Sequence, residues 1–379
     1  MSNPLHSVAI VGVYNTEQAR VLEAETSESI LAKAVRGTIA DAGLQPSDVN
    51  GICIGGAGPS AGDLIRQLGH HPSWASSGSG IPSLLETASA VATGLCDVAL
   101  VASGQAGAYT ARESTAPWTR PSNEFVESYG LFTAAEFALI AQRHMHEYGT
   151  KPEALAEVAS AVRSNGAKNP AAVYFGREAS PQDVLDSRMI TSPFHLLDCC
   201  MTSEGGAGLL LTTVERARDM DVQPVYVLGG ASEQQGTAYV EAPVWAKFGS
   251  SGRWGVERAF AMAGIKPSDV DVCEFYDNFS FELIRLFEAY GFCGEGEGGD
   301  FVMDGRTRID GELPICTDGG LMSYSHAGSV QGLQRAIAGV LQIQGRAVNQ
   351  VPDVNIVLTE NYGAAALSTH CMIMGRDPA

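Results

Sequence analysis

The chain has 379 residues, 45% hydrophobic and 18% charged, enough for two domains of ordinary size, each with its own core. Its 24 basic and 43 acidic residues give a formal charge of −19, a surface that repels nucleic acid and anionic lipid. No apolar run reaches the roughly 18 residues of a membrane span, and the N-terminus lacks the basic flank and apolar core of a signal peptide, so a cytoplasmic protein without membrane contact is expected.

The first strand candidate is "SVAIVGVY". In "SESILAKAVRGTIADAGL", Ile30, Leu31, Ala34, Val35 and Ile39 fall at helical spacing, and Gly43 ends the helix. "DVNGICIGG" then reads as a strand, "IPSLLETASAVATG" as a helix and "DVALVASG" as a strand. From about Gly107 to Ser192 strand signals are missing, while helices are expected around Ala134–Tyr148 and Pro152–Ser164. This stretch reads as an insertion, the usual place for a lid or substrate-binding subdomain. "GAGLLLTT" and "VYVLGGA" resume the strands, "VERAFAMAGI" is helical and "VDVCEFYDN" is a strand. The helices "SFELIRLFEAYG" and "LQRAIAGVLQIQG" and the strands "NIVLTENYG" and "THCMIMG" complete the chain.

One string occurs twice. "AGLQPSDV" begins at Ala42 and "AGIKPSDV" at Ala263, each linking a helix to a strand: glycine stops the helix, and proline and aspartate make the turn. Together with the alternation of elements, the repeat predicts a duplicated α/β fold with largely parallel sheets covered on both faces. The halves are set at residues 1–221 and 222–379, with the insertion at about 107–192 in the first.

The eight cysteines contain no C-x-x-C pair and mostly sit in apolar runs, so buried free thiols are expected. His144 and His146 are two apart and on a helix face different ways, so no metal site is expected.

In the second half, "EFYDNFSFELIRLFEAYGFCGEGEGGDFV", "GELPICTDGGLMSYSHAGSVQG" and "ENYGAAAL", with "LDCCMTSEGGAGLLLTT" before them, resemble the sterol carrier protein x branch of the thiolase superfamily in order and spacing. The resemblance covers essentially the whole chain and implies a layered α-β-α-β-α core with an inserted helical loop domain. It also shows what is missing. Ser77, in "SSGSGIPS", stands where a thiolase has its nucleophilic cysteine, and Asn361 and Tyr362 stand where its second cysteine belongs. A serine without an adjacent base is a poor nucleophile, so Ser77 reads better as a helix cap.

Without either thiol no acyl-enzyme forms and ordinary thiolysis is not expected. What the resemblance leaves is a thioester-oxygen site. His326 matches the histidine that donates to this oxygen, Tyr276 occupies the polar position above the active centre, Tyr324 stands two residues before His326, and Tyr362 lies beside the lost cysteine. Asp277 is placed to orient a tyrosine or meet a partner. This profile is similar to thiolase-like aldolases that shorten steroid side chains, where a 17-hydroxy acyl-CoA gives a 17-ketosteroid and propionyl-CoA. The resemblance implies a retro-aldolase for a bulky β-hydroxyacyl-CoA, with His326 holding the thioester oxygen and Tyr276 and Tyr324 moving protons. No cofactor is expected in this chain beyond the coenzyme A of the substrate. A homodimer and a small OB-fold partner with a zinc ribbon, forming a heterotetramer, are implied. An acyltransferase using Ser77 and a non-catalytic acyl-CoA or lipid carrier are the alternative readings.

Overall fold

The structure, a computed structural model, describes residues 3–55, 60–69, 71–107, 133–236, 244–363 and 367–378. Eleven strands are present among these: β1 (Val8–Asn15), β2 (Gly51–Gly55), β3 (Trp74–Ser76), β4 (Val98–Gln105), β5 (Met189–Thr191), β6 (Phe194–His195), β7 (Gly205–Thr213), β8 (Val225–Gln234), β9 (Val272–Glu274), β10 (Ile356–Gly363) and β11 (Ser368–Gly375). Nine form one sheet in the order β3-β2-β4-β7-β1-β8-β11-β10-β9.

The sheet is mixed, which corrects the expectation of largely parallel pairing. Only β2 with β3, β2 with β4 and β9 with β10 run parallel. The neighbours β1/β7, β1/β8, β4/β7, β8/β11 and β10/β11 are antiparallel. Apolar runs such as "GLLLTT" report burial on both faces, and burial alone does not set strand direction.

Helices Gly80–Ala92 and Gln331–Ile343 carry the middle layer. Leu84, Ala88 and Val91 of the first and Leu333, Ile337 and Val340 of the second share one buried cluster with Ile10, Val101 and Leu209 of one part of the sheet and Val227, Val357 and Met372 of the other. Both helices are thus covered by sheet on two sides. Helix Ser27–Asp41 packs Leu31, Val35 and Ile39 on the outer face of β1, β4 and β7, and helix Arg253–Ala263 covers β8 and β11 with Val256, Ala259 and Phe260. Each sheet face is closed by an apolar helix stripe, which gives the layered duplicated fold.

The repeated string does the same work twice. Gly43 and Gly264 both adopt positive φ, at +67° and +69°. In each copy the next residue's amide reaches back across the last helical turn, Leu44 to Ile39 at 3.1 Å and Ile265 to Phe260 at 3.2 Å. Asp48 and Asp269 then accept the amide hydrogens of Gln45 and Lys266, both at 2.8 Å. Only the strand after the second copy is shorter than expected: β9 ends at Glu274, which releases Phe275–Phe279 as a loop.

Between β4 and β7 lie helices Thr133–Tyr148 and Pro152–Lys168, as the periodicity anticipates, a shorter helix Pro181–Asp186, and the hairpin β5–β6, which it does not. Residues 108–132 of the expected insertion lie outside the described residues.

Candidate active site

The site is built where the loop after β9 meets the loop before helix Gln331–Ile343. Asp277 joins them. Its carboxylate, fully buried, accepts the amide hydrogens of Leu321 at 2.7 Å and Met322 at 3.0 Å, fixing the π-helical turn Gly320–Tyr324 that leads to His326. The glycines of "DGG" are required by contact. A Cβ on Gly320, at φ +56°, would lie 2.3 Å from the Asp277 carboxylate, and one on Gly319 would lie 2.4 Å from the Cα of Gly166. Asp318, the first residue of that motif, pairs with both terminal nitrogens of buried Arg335, at 2.8 and 2.7 Å. Asp277 is therefore a backbone clamp, fully buried and bonded to no tyrosine hydroxyl among the described residues.

His326 is held on three sides. Its amide donates to Ser203 Oγ at 2.7 Å, its carbonyl accepts from the Ser203 amide at 3.1 Å, and Nδ1 lies 2.8 Å from the carbonyl oxygen of Met201. A carbonyl only accepts, so Nδ1 carries the hydrogen and Nε2 of the neutral ring presents a lone pair. Burial pushes His326 down to about 4, which keeps it neutral. Tyr276 Oη, 3.2 Å from Nε2, therefore donates to the histidine and itself accepts from Gln331 Nε2 at 3.4 Å. In this arrangement His326 Nε2 accepts a hydrogen bond from Tyr276.

Tyr362 completes the group. Its ring meets that of Tyr276 edge-on with centroids 4.5 Å apart, and its hydroxyl donates to Asn278 Oδ1. Burial raises Tyr362 well above the usual tyrosine range, so the hydroxyl keeps its proton. Phe137 of the inserted helix packs on the far side, 5.9 Å from the Tyr362 ring.

Tyr324 is not brought into this group. It makes no hydrogen bond or ring contact with Tyr276, His326 or Tyr362 and lines a separate cavity of about 380 Å³ with Tyr14, Asp41, Asn169 and Arg346. Ser77 is exposed, three residues ahead of helix Gly80–Ala92, whose capping position falls at Ser79; it caps nothing, and no histidine or carboxylate bonds to it among the described residues.

Several residues here were not singled out by sequence. Arg163, buried in helix Pro152–Lys168, donates to the carbonyls of Leu197, Cys199 and Met322 at 2.9, 3.0 and 3.1 Å, so it ties together both segments that hold His326. Cys200 is more than packing, because its sulfur lies 3.2 Å from His326 Nδ1, yet burial pushes its thiol well above the usual range. It is no thiolate nucleophile. Asn361, which the family resemblance sets with Tyr362 at the second cysteine position, sits where the N-terminal ends of the two middle helices meet. A Cβ on Gly80 would lie 2.4 Å from Asn361 Oδ1, and one on Gly332 would lie 2.6 Å from the Cα of Gly80.

The thiolase C-terminal domain-like family matches residues 231–376. Over nearly its full length the chain is 32% identical to a steroid side-chain-cleaving aldolase of Thermomonospora curvata, covering 98% of each chain. It is also 32% identical to the 17-hydroxy-3-oxo-4-pregnene-20-carboxyl-CoA lyase of Mycobacterium tuberculosis, covering 97% of this chain and 98% of the relative. The chain belongs to the thiolase superfamily. An acetyl-CoA acetyltransferase of Methanothermobacter thermautotrophicus is 31% identical, with 98% and 100% covered, so overall identity does not separate the two chemistries within the superfamily. Among solved structures, the Ltp2-ChsH2(DUF35) aldolase superimposes with a TM-score of 0.86 at 30% identity over 98% of both chains.

Proposed function

We propose that this thiolase-like protein is a retro-aldolase that cleaves the Cα–Cβ bond of a bulky β-hydroxyacyl-CoA, with a 17-hydroxy steroid side chain as substrate and a 17-ketosteroid and propionyl-CoA as products. The observation that carries the reading is the hydrogen bond from Tyr276 Oη to the neutral Nε2 of His326. It makes the tyrosine a relay: Tyr276 takes the β-hydroxyl proton while passing its own to the histidine. The Cα–Cβ electron pair then moves into the thioester as the ketone forms. Tyr362, held protonated, gives its hydrogen to the enolate carbon. The proton gained by His326 matches the one lost by Tyr362, so a turnover consumes none.

The enolate needs positive potential. Helices Gly80–Ala92 and Gln331–Ile343 start side by side at Asn361, and neither has a side-chain cap on its first amides. The positive ends of two helix dipoles brought to one place suit a developing oxyanion.

The steroid substrate is favoured by the two aldolase relatives, and a partner protein, read as a small OB-fold chain with a zinc ribbon, is in keeping with the similar solved structure, the Ltp2-ChsH2(DUF35) aldolase. The short strand β3 ends the sheet with an open edge, suited to pairing with a second copy in a homodimer. Among the described residues no helix is long and apolar enough to cross a membrane, and eight free cysteines fit a reducing, cytoplasmic setting. No cofactor is needed beyond the substrate's coenzyme A.

The test incubates the protein, with and without such a partner, with a 17-hydroxy steroid acyl-CoA. Equimolar 17-ketosteroid and propionyl-CoA are expected. Absence of both in the presence of the partner overturns the reading.

A further inference from the structure

Behind Tyr362 the fold seals in a group of charges that this reaction leaves unused. Glu282 and Arg285 of helix Ser280–Ala289, Tyr290 at its end and Glu360 on β10 are all buried. Arg285 Nε donates to Glu282 Oε2 at 2.8 Å, and Nη1 donates to the carbonyls of Ser251 and Phe248 at 2.8 and 3.2 Å. The guanidinium carbon lies 6.0 Å from the centre of the Tyr362 ring. Glu360 shares one face of β10 with Tyr362, two residues on, and its Oε2 accepts the Tyr276 amide hydrogen at 3.2 Å.

Each of the four also has a polar atom with no hydrogen-bond partner among the described residues: Glu282 Oε1, Arg285 Nη2, Tyr290 Oη and Glu360 Oε1. These groups act on one another electrostatically, so they are neighbours in one chamber. Buried polar atoms of native proteins are satisfied by protein or by ordered water, and water both donates and accepts. Two carboxylates also face a single guanidinium. In a sealed interior both cannot stay ionised at low cost, and only Glu282 has a direct bond to the arginine.

We propose that these four atoms bind ordered water and that Glu360 carries a proton at the working pH, leaving Arg285 as the counter-charge for Tyr362 while that tyrosine is short of its proton. The last clause rests on the proposed reaction; the first two do not. Burial drives Glu360 well above the carboxylate range. The groups facing it are Glu282 and Arg285 from the helix, Tyr290, Tyr276, Tyr362 and, from β11, Cys371, with Glu233 of β8 beside Tyr290 and Cys371. Arg285 is the one cation among them.

Infrared spectroscopy of the full chain at neutral pH is expected to show the carbonyl stretch of a protonated buried carboxyl that Glu360→Gln removes, and a crystal structure is expected to show water within hydrogen-bond distance of the four atoms. No such band, a band that survives Glu360→Gln, or a dry chamber overturns the proposal. For the counter-charge, Arg285→Lys is expected to keep a kcat about tenfold above that of Arg285→Met, with KM of both within about threefold of the native protein. Equal kcat in the two variants overturns that role. Should the native protein cleave no substrate, the aldolase reading fails while the infrared and crystallographic results still decide the chamber.

Discussion

Tyr276 Oη stands 3.2 Å from Nε2 of His326, and the hydrogen between them belongs to the tyrosine. The Met201 carbonyl settles this by occupying Nδ1–H at 2.8 Å. One main-chain oxygen thereby decides which ring nitrogen of His326 is left to accept.

Removing the hydroxyl of either Tyr276 or Tyr362 should slow chemistry and spare binding. Tyr276→Phe and Tyr362→Phe are each expected to lower kcat by about 100-fold or more, the usual contribution of a positioned acid or base, with KM little changed. Steady-state release of propionyl-CoA measures it.

His326 also links folding to pH. Its folded value of about 4 lies below the roughly 6.5 of an unfolded histidine, so between those values the unfolded chain binds more protons. Stability contributed by the neutral ring is whole above about pH 6.5 and is lost as pH falls toward 4, by about 3 kcal/mol in all. His370 is pushed down to about 4 as well and adds to the same window. Urea titrations at stepped pH should show a shallower acid loss in His326→Gln than in the native protein, with the His370 part remaining.

Arg163 contacts no reacting group and should still matter. Arg163→Met strips donors from three buried carbonyls and is expected to cost about 3–5 kcal/mol in chemical denaturation while lowering kcat more than it raises KM. Arg163→Lys should recover little, because an ammonium does not reproduce the fork that reaches Leu197, Cys199 and Met322 together.

Ser77 provides the contrast. It is exposed and bonded to no base among the described residues, so Ser77→Ala should leave aldol cleavage within about twofold and native protein exposed to acyl-CoA should carry no ester there by intact-mass spectrometry. An acyl adduct on Ser77 would support the acyltransferase alternative.

Local chemistry was legible in the sequence. Glycine, proline and aspartate at fixed spacing specify both connectors, and the amides of Leu44 and Ile265 close them alike. Helix periods placed both middle helices within two residues, and the family resemblance named His326 and Tyr276, which the fold brings within 3.2 Å of each other. Direction and distance were not legible. Tyr324 lies two residues before His326, but the π-helical turn aims the two side chains into different spaces. Ser77 and Ser79 are equivalent as letters, and only the start of the helix at Gly80 separates them. The tautomer of His326 depends on Met201, remote in sequence, and Arg163 looks like any solvent-facing helix arginine until its three carbonyl partners are in place.

The joint between β1 and β8 carries a further consequence. Ala9 and Ile10 pair with Tyr226 and Val225, so the two duplicates share one uninterrupted ladder and clasp the same pair of middle helices. A fragment ending near residue 221 would bare β1 along that seam and strip one wall from its own helix. The ancient repeat is still readable as two copies, yet neither copy remains a separable folding unit, and truncation at the seam should yield an aggregating polypeptide in place of a half-sized domain.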